Sequence, residues 1–217
     1  MGASSVMEPQ HRFTYRASKN RSGGPHAARG HRYTLELVDE ALGTTVAHCS
    51  VHGTPVHKPQ LIRAAGSGEW TIRPNRRVMP SHWILVNPQG RETLLLDQRI
   101  FGKLAGPLTR VGMTIKNPQG TVLYRVVVPA ASLGERLLGP DPDAWTVENA
   151  DGPVALIATL PKPDVPATGW RGKLQRFIQG SDMGLVSLGD AHRFGAAEAL
   201  AILLIFRELR DISKSAE

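Results

Sequence analysis

Residues 199–206, ALAILLIF, are apolar without a break, and the surrounding stretch from Gly195 to Leu209 is rich in Ala and Leu and holds no proline. That composition predicts a helix over about 195–209. Eight consecutive apolar residues cover every face of about two turns, so this helix must be enclosed on all sides or lie in lipid. Crossing a bilayer takes about 20 apolar residues. This run is far shorter, and Glu198 and Arg207 bound it. Burial within protein and no transmembrane span are therefore expected, and the rest of the chain has to supply the walls.

The rest of the chain reads as short strands. Val, Ile, Leu, Thr, Tyr and Trp dominate the runs 33–38, 45–51, 70–73, 83–86, 92–96, 111–115, 122–128, 154–160 and 184–188. The segment 13–16 and the residues around Val147 add two more. Between the runs stand tight-turn sequences. Asn87-Pro88-Gln89-Gly90 recurs thirty residues later as Asn117-Pro118-Gln119-Gly120, and Asn149-Ala150-Asp151-Gly152 follows. An Asn at the first position can bond the backbone two residues on. Pro at the second is already at the φ of a type I turn, and Gly at the fourth can take the left-handed conformation that completes a bulged hairpin. The 22 Gly and 16 Pro are dispersed as such punctuation.

About ten to twelve strands result. Eight strands close into a barrel filled by its own side chains, whereas a larger barrel has a lumen to fill. The expected fold is thus mainly β: an approximately twelve-stranded closed barrel around a central hydrophobic C-terminal helix. One domain is expected over 11–212, with tails at 1–10 and 213–217. Residues 19–30, KNRSGGPHAARG, have no apolar period and read as a long exposed loop.

Charge and cysteine content narrow the function. Residues 1–32 carry six Lys or Arg against Glu8, and residues 33–217 carry twenty against eighteen acids, so most of the net +7 belongs to the N-terminal segment. A single cysteine, Cys49, excludes an intramolecular disulfide framework and fits a reducing compartment. The first ten residues lack a secretory apolar core, which points to a cytoplasmic location. Gly2 is followed by Ser5 and then Val6, a poor match to the myristoylation pattern. No G-x-S-x-G elbow, P-loop or dinucleotide-binding glycine pattern occurs, and the glycines at 23–24 neither follow a suitable strand nor precede a helix.

The densest set of potential metal ligands is His48, Cys49, His52 and His57. Adjacent residues of a strand face opposite ways, so His48 and Cys49 cannot both point at one ion, and a strand end running into a polar loop explains the set better. Cys49 with a neighbouring His lacks any marked oxyanion hole or orienting carboxylate, so a buried structural thiol is the preferred reading. Asp141-Pro142-Asp143 reads as a turn. No cofactor and no catalytic residue is expected. Two basic clusters remain. Arg73, Arg76 and Arg77 lie in IRPNRR between Trp70 and Trp83; Arg171, Lys173 and Arg176 lie in GWRGKLQRF beside Trp170 and Phe177. Cations beside aromatic rings suit a phosphate-bearing partner, the charge for phosphate and the ring for a lipid interface or a base.

The early pair FTYRAS and HRYTLELVDEALGTTVAHCSV, the repeated strand–NPQG–strand units and the closing GAAEALAILLIFREL together resemble the tubby C-terminal-like superfamily, which includes the LURP-one-related proteins and the phospholipid scramblases. The resemblance covers about residues 12–210 and lies in pattern and order. It implies a twelve-stranded barrel around a hydrophobic helix, and a binding role before a catalytic one, with anionic phospholipid or a protein as partner. The acidic calcium segment and palmitoylated cysteine cluster of a scramblase have no counterpart here. The expected function is a non-enzymatic binding module in the cytoplasm, peripheral to a membrane. The alternatives are a nucleic-acid-associated protein using the basic N-terminal arm and an enzyme whose site is assembled from distant residues. Few aromatics, 6%, and no RNA-binding aromatic signature weigh against nucleic acid.

Overall fold

The structure, a computed structural model, describes residues 11–18, 31–39, 42–52, 55–77, 80–98, 113–127, 144–160, 182–187 and 194–214. Among them are twelve strands: β1 (His11–Ser18), β2 (His31–Asp39), β3 (Thr44–His52), β4 (Gln60–Ala64), β5 (Gly68–Pro74), β6 (His82–Val86), β7 (Glu92–Gln98), β8 (Met113–Lys116), β9 (Val122–Val127), β10 (Ala144–Asn149), β11 (Gly152–Leu160) and β12 (Asp182–Ser187). One helix, α1 (Ala196–Lys214), follows. The fold is mainly β, an antiparallel sheet with a C-terminal helix. Each strand pairs with the next in sequence, and β1 is hydrogen-bonded to β12 as well as to β2. The expected tail 1–10 and loop 19–30 lie outside the described residues.

The turn chemistry works as the residues dictate. Asn87 Oδ1 accepts from the N–H groups of Gln89 (3.1 Å) and Arg91 (2.8 Å), and the Gly90 N–H donates to the Asn87 carbonyl at 2.9 Å. Thirty residues on, Asn117 Oδ1 accepts from Thr121 N–H at 2.8 Å, and Gly120 N–H donates to the Asn117 carbonyl at 2.9 Å. Gly90 and Gly120 have φ of 76° and 87°, which a side chain would strain. Both hairpins shift register one step from the turn, between Leu85 and Val86 and between Ile115 and Lys116. This is the bulge that a Gly in the left-handed region completes.

β4 was not foreseen. Its burial alternates, but its first two residues reverse the expected polarity: Gln60 is buried and Leu61 exposed, while Ile62 is buried and Arg63 exposed. Buried Gln60 donates from Nε2 to the Lys58 carbonyl at 3.0 Å, which satisfies a polar group that alternation rules place outside.

Helix α1 fills the interior. Every residue from Ala199 to Ile205 has no exposed surface, and Phe206 has almost none. The helix packs against β1, β2, β3, β4, β7 and β12. Trp145 of β10 stands edge-on to the Phe206 ring with centroids 4.9 Å apart. Gly195 is the N-cap: its carbonyl accepts from Ala199 N–H at 2.9 Å, and Glu198 Oε2 reaches back to its N–H at 3.1 Å. At the other end the helix runs to Lys214, beyond the expected limit of 209 and into the expected tail 213–217. Arg207, Glu208 and Arg210 are good helix formers, so loss of apolarity does not end it.

Candidate functional site

The first basic cluster sits where β5 turns into β6. Arg73 faces outward on β5 and its Nη2 is 3.0 Å from Glu92 Oε1 of β7. Arg76 and Arg77 are exposed in the connection that follows, with no ion-pair partner among the described residues. Asn75 ties the base of this connection. Its N–H donates to the His82 carbonyl at 3.0 Å, its Oδ1 accepts from Ser81 N–H at 3.1 Å and His82 N–H at 3.4 Å, and its Nδ2 donates to Ser81 Oγ at 3.2 Å. Two guanidinium groups without an ion-pair partner among the described residues are therefore carried on a turn whose stem is pinned.

The aromatic partners proposed for this cluster are not its neighbours at the surface. Strand period places Trp70 on the face of β5 opposite to Arg73. Trp70 is half-buried, packs against the core and donates from Nε1 to Ser67 Oγ at 3.2 Å. Trp83 is wholly interior, and its indole N–H donates to the Val56 carbonyl at 3.0 Å. An indole buried with its donor satisfied is a core residue. Adjacency in sequence suggested a cation–aromatic surface, but the pleat separates it. Arg171, Lys173 and Arg176, with Trp170 and Phe177, lie outside the described residues.

The histidine–cysteine set is dispersed. Cys49 points into the core, and burial pushes its thiol up to about 12. His48 faces the other side of β3, and His57 is exposed in the β3–β4 connection. The side chain of His52 and the segment with Asp141 and Asp143 lie outside the described residues. Among the described residues no three His, Cys, Asp or Glu side chains gather as metal ligands would.

Sequence reasoning missed the ordering of charge across the outer face. Glu36, His48, Arg63 and Glu69 stand directly opposite one another on β2, β3, β4 and β5. Arg63 Nε is 3.0 Å from Glu69 Oε2. Lys116 of β8 pairs with Asp97 of β7 across the adjoining ladder. Registers create these pairs, and no spacing along the chain announces them. Near the helix N-terminus Tyr124 stacks at a tilt on Phe194, 5.1 Å between centroids. Its phenol pKa is raised, by desolvation first and by the Glu198 charge second.

Among the described residues no helix is long and apolar enough to cross a membrane. Comparison with models of protein families, with curated proteins and with solved structures finds no match to this chain.

Proposed function

We propose that this protein is a tubby-like binding module without catalytic activity: a closed twelve-stranded barrel around a central hydrophobic helix, cytoplasmic and docking at the periphery of a membrane on anionic phospholipid. The barrel reading is supported by the pairing of β1 with both β2 and β12 and by an apolar helix with no exposed face from 199 to 205. The observation that carries the lipid reading is the exposed Arg76–Arg77 pair, unneutralised among the described residues and mounted on the Asn75-pinned turn. Arg73 adds charge to the same region but is engaged by Glu92. Arg171, Lys173 and Arg176 form the second proposed contact.

Attraction to an anionic surface is worth about 1 kcal/mol per Lys or Arg close to it. Replacing Arg73, Arg76 and Arg77 together by Ala should weaken binding by about 3 kcal/mol, roughly a hundredfold. Stability should change little, since exposed charges and a surface ion pair contribute at most about 1 kcal/mol. Flotation with phosphatidylserine-containing and neutral vesicles measures this, with the Arg171, Lys173 and Arg176 triple variant in parallel. Equal binding by the wild type and both variants, or no preference for the anionic vesicles, removes the lipid reading.

A further inference from the structure

Arg73 and Glu92 belong to strands that are not neighbours, so their ion pair has to pass over β6. In the ladders Arg73 stands opposite Ile84 of β6, and Glu92 stands opposite Val86. The 3.0 Å bond from Arg73 Nη2 to Glu92 Oε1 therefore crosses the outer face of β6 between Ile84 and Val86. Ile84 lies on that face, since Trp83 and Leu85 on either side of it are interior, yet it is only 9% exposed. Such burial fits a bridge of side chains laid across it.

A bulge puts Glu92 in place. The register steps from Leu85 opposite Leu94 to Val86 opposite Glu92, which makes Thr93 the extra residue. Without that step Thr93 would stand opposite Val86, and strand period would turn Glu92 toward the other face. The turn itself does not require an acid there. In the second Asn-Pro-Gln-Gly hairpin the same step brings Val122 opposite Lys116, and Val122 is exposed. The carboxylate thus meets Arg73 for a reason other than hairpin geometry.

We propose that Glu92 is a built-in competitor at the lipid site: it holds Arg73 back until headgroup phosphate of an anionic bilayer takes the guanidinium over. The proposal rests on the lipid reading above and adds its control. Arg73 is three residues before Arg76 in the same run, so it borders the Arg76–Arg77 pair. The side chains of Arg73 and Glu92 keep 47% and 42% of their surface, and an ion pair so exposed is weak. Phosphate accepts a guanidinium in a bidentate, charge-assisted bond and can displace a carboxylate held by one such contact. Opening the pair lowers affinity for the anionic surface by up to about fivefold, relative to the same arginines with no acid at 92.

A double-mutant cycle on the full chain separates capture of Arg73 from the loss of one negative charge. Glu92→Gln, Arg73→Ala and the double variant are titrated with phosphatidylcholine vesicles, with and without phosphatidylserine. Glu69→Gln is the charge-matched control, because Glu69 lies on the same strand as Arg73 and is held in a similar exposed pair, 3.0 Å from Arg63. It stands about 13 Å along the strand from Arg73, beyond the screening length of about 10 Å at 0.1 M salt. Glu92→Gln should tighten binding to the phosphatidylserine vesicles about fivefold more when Arg73 is present than in the Arg73→Ala background. Glu69→Gln should stay within about twofold of wild type. Equal tightening by Glu92→Gln in both backgrounds, or equal tightening by Glu69→Gln, overturns the role of Glu92 while leaving the lipid reading intact. Absence of any preference of the wild type for the phosphatidylserine vesicles overturns both.

Discussion

Cys49 shows how a residue's chemistry is decided by what encloses it. As the one cysteine of the chain, beside a histidine in sequence, it invites a catalytic reading. Instead its side chain is fully enclosed by the core, and desolvation lifts its pKa from 9.0 to about 12. The neutral thiol is the only form the folded interior accepts. Stability from this source is intact below the unfolded pKa of about 9 and is lost as pH rises toward 12, at about 1.4 kcal/mol per pH unit. The expected outcome is a steeper alkaline loss of urea-unfolding stability in wild type than in Cys49→Ala. Parallel curves above pH 9 would contradict it. The same lesson applies to Arg73. Composition makes it equal to Arg76 and Arg77, yet Glu92, distant in sequence, takes up its guanidinium.

At the scale of elements, the helix and the hairpins were legible because their signals are local. An unbroken apolar run has one outcome outside a membrane, and Asn-Pro-Gln-Gly supplies both the acceptor and the left-handed residue that its turn needs. β4 was not legible, because Gln60 and Leu61 occupy each other's expected faces. The bond to the Lys58 carbonyl helps make the buried amide tolerable. Helix α1 carries the heaviest test of the fold. Ile202 is wholly enclosed, and an unpaired carboxylate there costs several kcal/mol against a total stability of about 5–15 kcal/mol. Ile202→Asp is expected to abolish cooperative thermal unfolding monitored by near-UV circular dichroism. A cooperative transition near the wild-type midpoint would rule out central burial.

At the scale of the whole molecule, a net charge of +7 makes the proposed docking on an anionic surface electrostatic. Electrostatic docking of that kind weakens as salt shortens the screening length, from about 10 Å at 0.1 M to about 3 Å at 1 M. Binding to phosphatidylserine vesicles is therefore expected to fall at least about tenfold between roughly 0.1 and 0.5 M salt. The thermal midpoint should move little over that range, because the core is apolar and the described ion pairs lie at or near the surface. Vesicle binding that persists unchanged in high salt would place the attraction in apolar contacts instead.

The amino-acid sequence by itself determined the strand-rich class, the turn positions and the need to enclose residues 199–206, because each follows from interactions within a few neighbouring residues. Tertiary structure decided the rest. Which face of β5 carries Trp70 and which carries Arg73 depends on the pleat against the core. Which acid meets Arg73 depends on the ladders that bring β7 across from β5. Which connections share an end depends on the direction of every strand, and direction is set by pairing partners that no local pattern names.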